Sequence, residues 1–304
     1  MTLKSCLKSM RLRTLPLSLS GVILGACIAF SGNLQSSTFH LPLFLLLLVT
    51  TALLQILSNL SNELGDTLHG TDTADRQGIR YSLQDGEMTV PQMKRLITIV
   101  AVCCALIGLG MIACSFGTLL AIEPLLLVLL GAAAMTAAMR YTLGKNPYGY
   151  RGWGDLFVFI FFGLVSVCGS YYVCSHDLSY LLILLPGSAI GFFSIGVLNV
   201  NNIRDMKTDA ATRTTVALKL GIHRARIYQT LLIAAGWVAM AAYTAHTATR
   251  WTEWLFVLTL PLYVKHLHGV WHRRDRELDP MLPLLVISTF LFSLLASIGM
   301  IISS

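Results

Sequence analysis

The chain has 304 residues, of which 55% are hydrophobic and only 12% charged, with a formal net charge of +7 and a mean hydropathy of +0.69. Soluble domains carry about 25% charged residues, so this composition excludes a soluble protein. It also makes membrane topology, not nucleic-acid binding, the better account of the excess positive charge. The 7 cysteines lie mostly in apolar runs with no CxxC pair and read as reduced packing residues, not as a disulfide framework or metal site.

Apolar runs follow one another at 15–30, 41–60, 96–116, 119–139, 156–174, 181–200, 227–246, 254–267 and 284–302. A membrane-spanning helix needs about 20 such residues, so the pattern predicts an all-α, multi-spanning bundle of about nine transmembrane helices, the eighth of them short. Lys4, Lys8, Arg11 and Arg13 ahead of the first run resemble a signal peptide, and Leu24-Gly25-Ala26-Cys27 resembles a lipoprotein cleavage box. The run continues apolar through Phe30 without the polar break that follows a processing site, so it reads as a retained first span. No low-complexity segment or soluble linker interrupts the chain, and residues 1–304 are expected to form a single integral-membrane domain.

Lysine and arginine concentrate in the cytoplasmic connections of membrane proteins. With nine spans and a cytoplasmic N-terminus, all of the 22 Lys and Arg except Arg250 fall on the cytoplasmic side. The expected topology is therefore N-terminus inside, with membrane lipid around the helices and no nucleic-acid partner. The cytoplasmic connections are long and polar, whereas the outer ones around Gly117 and His176 are short, and long connections on one face are where function concentrates.

Two polar stretches stand at the cytoplasmic ends of the second and sixth runs. The first runs from Asn59 through Asn62, Glu63 and Asp66 to His69, Asp72 and Arg76; the second from Asn199 through Asn201, Arg204, Asp205, Lys207 and Asp209 to Arg213 and Lys219. In a chain with only 15 carboxylates, a repeated Asn-then-Asp cluster on membrane helices asks for a chemical reason. Helical residues four apart share a face, so Asn62 and Asp66 align, as do Asn201, Asp205 and Asp209. Asp72 lies off that stripe, and Gly65 and Gly70 suggest that the helix unwinds and brings it back. Hard oxygen donors of this kind suit Mg2+ carrying phosphate groups. Four carboxylates, two Mg2+ and a diphosphate balance with help from Arg204 and Lys207. A diphosphate at a membrane surface in turn suggests a lipid whose tail lies among the helices, and whose allylic C–O bond breaks with metal and cationic help in an apolar cavity.

The chain resembles the UbiA superfamily of intramembrane aromatic prenyltransferases, and within it the 1,4-dihydroxy-2-naphthoate polyprenyltransferases of menaquinone biosynthesis. The resemblance rests on Arg11-Leu12-Arg13-Thr14-Leu15-Pro16, on Asn59 through Asp75, and on Tyr141-Thr142 with Pro147-Tyr148-Gly149-Tyr150-Arg151-Gly152-Trp153-Gly154-Asp155. It continues through Phe157 to Gly163 and Asn201 through Asp209. The six-residue step from Asp66 to Asp72 is similar to the naphthoate branch. The resemblance implies a bundle around a central cavity, with Asn62, Asp66 and Asp72 facing Asn201, Asp205 and Asp209 across bound Mg2+ and diphosphate. It implies transfer of a polyprenyl group from polyprenyl diphosphate to 1,4-dihydroxy-2-naphthoate, with loss of CO2 and diphosphate, to give demethylmenaquinone, in a bacterial inner membrane. Glu63, where the family commonly has Asp, and Thr212, where the branch commonly has Gly, depart from the pattern.

Other polar residues are secondary candidates. Asp155, at the start of the fifth run, would orient or deprotonate the aromatic hydroxyl, or pair structurally with Arg151. Tyr141, Lys145, Arg151 and Arg13 would hold the phosphate or the acceptor carboxylate. Histidine is a common general base, but His69 reads better as a solvated loop residue. Another acceptor such as 4-hydroxybenzoate or haem would suit the same chemistry. A secondary transporter is the rival from another class, although transporters place coupling charges near the bilayer midplane.

Overall fold

The computed structural model describes residues 2–31, 40–70 and 80–304. The described residues fold into helices α1 (Leu3–Met10), α2 (Leu15–Phe30), α3 (Leu41–Leu68), α4 (Val90–Phe116), α5 (Ile122–Arg140), α6 (Gly154–Val158), α7 (Ser166–Ser175), α8 (Leu184–Arg204), α9 (Met206–Asp209), α10 (Val216–Thr247), α11 (Leu260–His272) and α12 (Met281–Ser303). A wider-pitched π segment, Phe159–Val165, joins α6 to α7. Among the described residues, eight helical stretches are long and apolar enough to cross a membrane, which makes the chain an integral membrane protein. The short run expected at 254–267 is a 3-10 segment, Trp251–Thr259, followed by α11, whose first turn holds Pro261. A proline lacks the amide needed to continue a helix from the N-terminal side, so the 3-10 segment and α11 do not form one continuous α-helix, and this stretch is not among the eight long ones. All seven cysteines are free thiols; Cys6, Cys27 and Cys104 are buried, and Cys103 and Cys114 are exposed.

Of the four apolar clusters among the described residues, two are the largest. The larger joins α2, α7, α8, α10, α11 and α12 around Phe193, Phe256, Tyr263 and Phe292; the smaller joins α1, α3 and α4 around Leu57, Leu60 and Met93. Without a solvent-driven hydrophobic force between them, membrane helices associate through close packing, and small residues allow it. A Cβ on Gly163 would lie 2.6 Å from both the Gly187 carbonyl and Gly191 Cα, so the glycine of the Phe-Phe-Gly block lets the π segment lie directly on α8. By contrast, Pro124 is the only buried residue of α5.

The two polar helix ends are anchored by their own first asparagines. The Asn59 amide donates to the Met10 carbonyl at 3.0 Å and to Thr14 Oγ1 at 2.9 Å, fixing α3 to the N-terminal arm. The Asn199 amide donates to the Ala225 carbonyl at 3.0 Å and to Gln229 Oε1 at 2.9 Å, fixing α8 to α10. The connection 141–153 lies over both ends. Its Tyr150 carbonyl accepts from the Thr214 amide at 2.9 Å, and Thr142 sits where any side chain on Gly65 would be, 2.5 Å from its Cβ position. Gly65 is therefore a contact glycine inside a continuous helix. The break expected near it comes later, at Gly70, whose φ of +65° is left-handed.

Candidate active site at the meeting of two polar helix ends

A cavity of about 700 Å³ opens among α2, α3, α4, α5, α7 and α8, within the size range of ligand pockets. Its polar end is built by both stretches. Asn62 and Asp66 come from α3, Asn201, Asn202 and Arg204 from α8, and Arg213 from the turn after α9, with Tyr141 and Thr142 from the overlying connection. The helix spacing thus brings Asn62, Asp66 and Asn201 to one wall as expected, although Asp66 is only 3% exposed. Thr142 Oγ1 is shared between the Ser61 carbonyl at 2.9 Å and Asn62 Oδ1 at 3.3 Å.

Each acidic side chain has a defined partner. The Tyr150 hydroxyl donates to Asp66 Oδ1 at 2.7 Å. Arg204 grips Asp205 with two bonds, 2.8 Å from Nε and 2.7 Å from Nη2, while Nη1 donates to Asp279 at 2.9 Å and Nη2 to Asn201 Oδ1 at 2.8 Å. Asp205 is 1% exposed, and such a two-pronged arginine pair is the strong form of this contact. Arg213 Nη2 lies 2.7 Å from Asp209 Oδ1. Burial works against the charge on Arg213, but the carboxylates of Asp66 and Asp209 outweigh it and raise its pKa above the ordinary arginine value. One guanidinium therefore experiences both acidic stretches, which places the two helix ends side by side.

The other candidates are distributed differently. Asp72 lies outside the described residues. Asp155 accepts from the Tyr228 hydroxyl at 2.9 Å and lines a small recess behind Tyr141 together with Asn202, Arg213 and Thr215. Its partner is thus Tyr228, not Arg151. Tyr141 lines both the recess and the main cavity, and burial pushes its phenol up to about 12. Arg13 lines the cavity and donates to the Tyr81 hydroxyl at 2.7 Å. Lys145 and Arg151 are exposed and are not among the cavity-lining residues. Lys207 bonds Asp275 at 2.7 Å on the outer surface. His69 is exposed, yet it is pinned, with ring nitrogens 2.9 Å from the Gly65 carbonyl and 3.1 Å from the Gly144 carbonyl.

Four site residues were missed from the sequence. In the sequence Tyr150 reads only as a motif member and Arg213 as a member of the second polar stretch with no assigned role, and Asp279, from the segment before α12, carries no signal at all. Arg11 was noted as an N-terminal motif residue. Its guanidinium lies 3.7 Å above the Tyr81 ring, and it lines the cavity with Nε and Nη2 buried and without hydrogen-bond partners. A buried cation so placed favours an anion in the cavity. Glu63, adjacent to Asn62, faces the other way: it is 0% exposed and accepts from the Leu83 amide at 2.8 Å.

Among the described residues, no three His, Cys, Asp or Glu side chains are grouped as a ready metal cage. The donors at the cavity's polar end are still the hard oxygens that Mg2+ takes, a carboxylate at Asp66 and amide oxygens at Asn62 and Asn201. Asp205 and Asp209 lie buried behind them, paired with Arg204 and Arg213, and are not among the cavity-lining residues.

The sequence profile of the UbiA prenyltransferase family matches residues 18–294. The chain is 35% identical over 302 residues to the 1,4-dihydroxy-2-naphthoate octaprenyltransferase of Haemophilus influenzae, covering 99% of this chain and 96% of that protein. It is 38% identical over 299 residues to the Escherichia coli protein of the same name, covering 98% and 95%. Its fold is similar to a UbiA homologue from Archaeoglobus fulgidus bound to DMAPP and Mg2+, with a TM-score of 0.68, 14% identity, and coverage of 99% of this chain and 100% of that one.

Proposed function

The chain belongs to the UbiA prenyltransferase family, and on that basis we propose that it transfers a polyprenyl group from polyprenyl diphosphate to 1,4-dihydroxy-2-naphthoate, giving demethylmenaquinol, the reduced form of demethylmenaquinone, for menaquinone biosynthesis. The observation that carries this reading is the convergence of Asn62, Asp66, Asn201, Arg204 and Arg213 on the polar end of one otherwise apolar cavity. It is a site for a diphosphate head with a hydrocarbon tail.

Asp66, Asp72, Asp205 and Asp209, with Asn62 and Asn201, would hold Mg2+. When bound there, the metal supplies Lewis acidity and charge neutralisation to the diphosphate. Arg204 and Arg213, which line the polar end of the cavity, would take up negative charge on the leaving group as the allylic C–O bond breaks and its electron pair departs with the diphosphate. The apolar walls keep water from the allylic cation. The ring carbon bearing the acceptor's carboxylate attacks that cation. The carboxylate then leaves as CO2 and returns its bonding pair to the ring, so no ring proton has to be removed. Asp155, behind Tyr141, therefore serves to orient the acceptor through Tyr141 and Asn202. Arg11 and Arg13 hold the acceptor's carboxylate or the outer diphosphate oxygens.

The bacterial relatives support an inner-membrane location, and the asymmetry of Lys and Arg supports an N-terminus and a polar cavity end on the cytoplasmic side. The test is purified protein with Mg2+ and one polyprenyl diphosphate, offered the naphthoate, 4-hydroxybenzoate or haem, with products identified by mass. Prenylated naphthalenediol and CO2 are expected. Product with another acceptor only, or none, refutes the reading.

A further inference from the structure

The end of the molecule that carries the acidic helix ends also carries a concentration of positive charge outside the cavity, where α10 meets α11. Trp271 of α11 donates from Nε1 to Thr230 Oγ1 at 3.2 Å, and its ring stands edge-on to His223 of α10, 5.7 Å between centroids. Deeper in the protein Gln229 meets His266 at 3.0 Å, so the two helices run antiparallel. Arg226 Nη2 donates to the Arg273 carbonyl at 2.7 Å, which brings α10 against the Arg273-Arg274 segment that follows α11. The charges of Arg226 and Arg274 oppose one another there.

No carboxylate neutralises this cluster. Among the described residues, Arg226, Arg273 and Arg274 form no ion pair. The neighbouring Asp275 and Asp279 are taken by Lys207 at 2.7 Å and Arg204 at 2.9 Å. Arg226 Nε is buried and has no hydrogen-bond partner. Leaving a buried donor of a charged group unsatisfied costs free energy, so the crevice favours an anion from outside. The side chains next along both helices indicate its kind. Past His223 and Arg226, α10 exposes Ile227 and Leu231, and α11, traced back from Trp271, exposes Val264 and Leu260. A tryptophan where basic side chains give way to exposed apolar ones marks the headgroup level of a bilayer. A basic pocket between helices at that level suits an anionic lipid headgroup, whereas a free phosphate would leave the apolar wall unused.

We infer that the phosphodiester of an anionic phospholipid binds between α10 and α11 against Arg226, Arg273 and Arg274, with an acyl chain along Ile227, Leu231 and Val264. The phosphate accepts from the free Arg226 N–H and relieves the repulsion between Arg226 and Arg274. Bound there, it ties α10 to the segment whose Asp279 holds Arg204 at the cavity. This site stands whether or not the prenyl-transfer reading does.

The experiment titrates the purified full-length protein, in detergent micelles, with dioleoyl phosphatidylglycerol, dioleoyl phosphatidylcholine or inorganic phosphate, reading bound lipid by native mass spectrometry and melting temperature in parallel. Wild type is expected to retain phosphatidylglycerol and to melt higher with it, and to do neither with the other two. One Lys or Arg near the surface contributes about fivefold to the attraction of anionic lipid, so Arg274→Gln should weaken retention about fivefold and Arg226→Gln/Arg274→Gln roughly 25-fold. Lys94→Gln/Arg95→Gln removes two exposed cations at the start of α4 and should leave retention within about twofold, because the pocket and not the net charge holds the lipid. Arg274 is exposed, so its single variant reads the site even where the double variant folds poorly. Retention unchanged in Arg274→Gln, equal losses in the two double variants, no preference of wild type for phosphatidylglycerol, or equal protection by inorganic phosphate would each overturn the inference.

Discussion

Tyr150 donates its hydroxyl hydrogen to Asp66 at 2.7 Å, and the same residue accepts the Thr214 amide on its carbonyl at 2.9 Å. It therefore joins the first acidic helix end to the turn that follows the second. Its ring stands edge-on to His69, 5.3 Å between centroids, and Arg213 lies 5.7 Å from its centroid on the other side. Removing the hydroxyl keeps the ring and takes one hydrogen bond from Asp66. Outer partners of a metal ligand typically contribute 10–100-fold to affinity or activity. Tyr150→Phe is expected to raise the Mg2+ concentration for half-maximal activity by roughly tenfold, with little change in melting temperature; a Mg2+ titration checks this.

Arg204 is 6% exposed and bonded to Asp205, Asp279 and Asn201. Truncating it strands a buried carboxylate at Asp205, a loss that commonly costs about 3–5 kcal/mol. Arg204→Ala should lower the melting temperature in detergent, and Arg204→Ala/Asp205→Asn should recover much of that loss. Equal melting of the single and double variants would mean that the pair is not what holds this helix end.

Tyr141 bears on the pH profile. Because burial pushes its phenol up to about 12, the hydroxyl keeps its proton up to that pH and acts as a neutral donor, not as a base. Tyr141→Phe should reduce kcat while leaving the alkaline limb of the pH–rate profile where it was. A shift of that limb would show that Tyr141 titrates during turnover.

Gly163 tests the helix packing that shapes the cavity. A Cβ there would lie 2.6 Å from backbone atoms of Gly187 and Gly191, and backbone cannot move aside as a flexible side-chain end does. Gly163→Ala should destabilise by ~1–3 kcal/mol, visible as a lower melting temperature, whereas Gly131→Ala, whose Cβ meets nothing within 4 Å, should not.

Much of this architecture is legible in the sequence because the membrane permits little besides helices. The apolar runs locate them, and the four-residue spacing of Asn62 with Asp66 aims both into the cavity. Helical phase also explains Glu63, which one position further round turns away from Asn62 to hold the Leu83 amide. What was not legible depends on partners distant along the chain. Tyr150 reaches Asp66 across 84 positions, and Asp279 reaches Arg204 across 75; neither pairing has a local period to announce it. Lys145 and Arg151 illustrate the converse. Their charge and their place in the polar connection suggested a phosphate contact, but the turn at Gly144, with φ of +99°, and the bridge from Arg151 to Thr214 leave both exposed and off the cavity wall.

The central claim is that the ends of α3 and α8 act on a single bound diphosphate. The most direct measurement is a double-mutant cycle on Asp66→Asn and Asp205→Asn, reading the affinity of a non-hydrolysable prenyl thiolodiphosphate in the presence of Mg2+. Two ligands of one metal-diphosphate unit couple, so each single change should cost on the order of 100-fold, with the double variant little worse than either. Strictly additive losses, or undiminished binding by either single variant, would contradict the account.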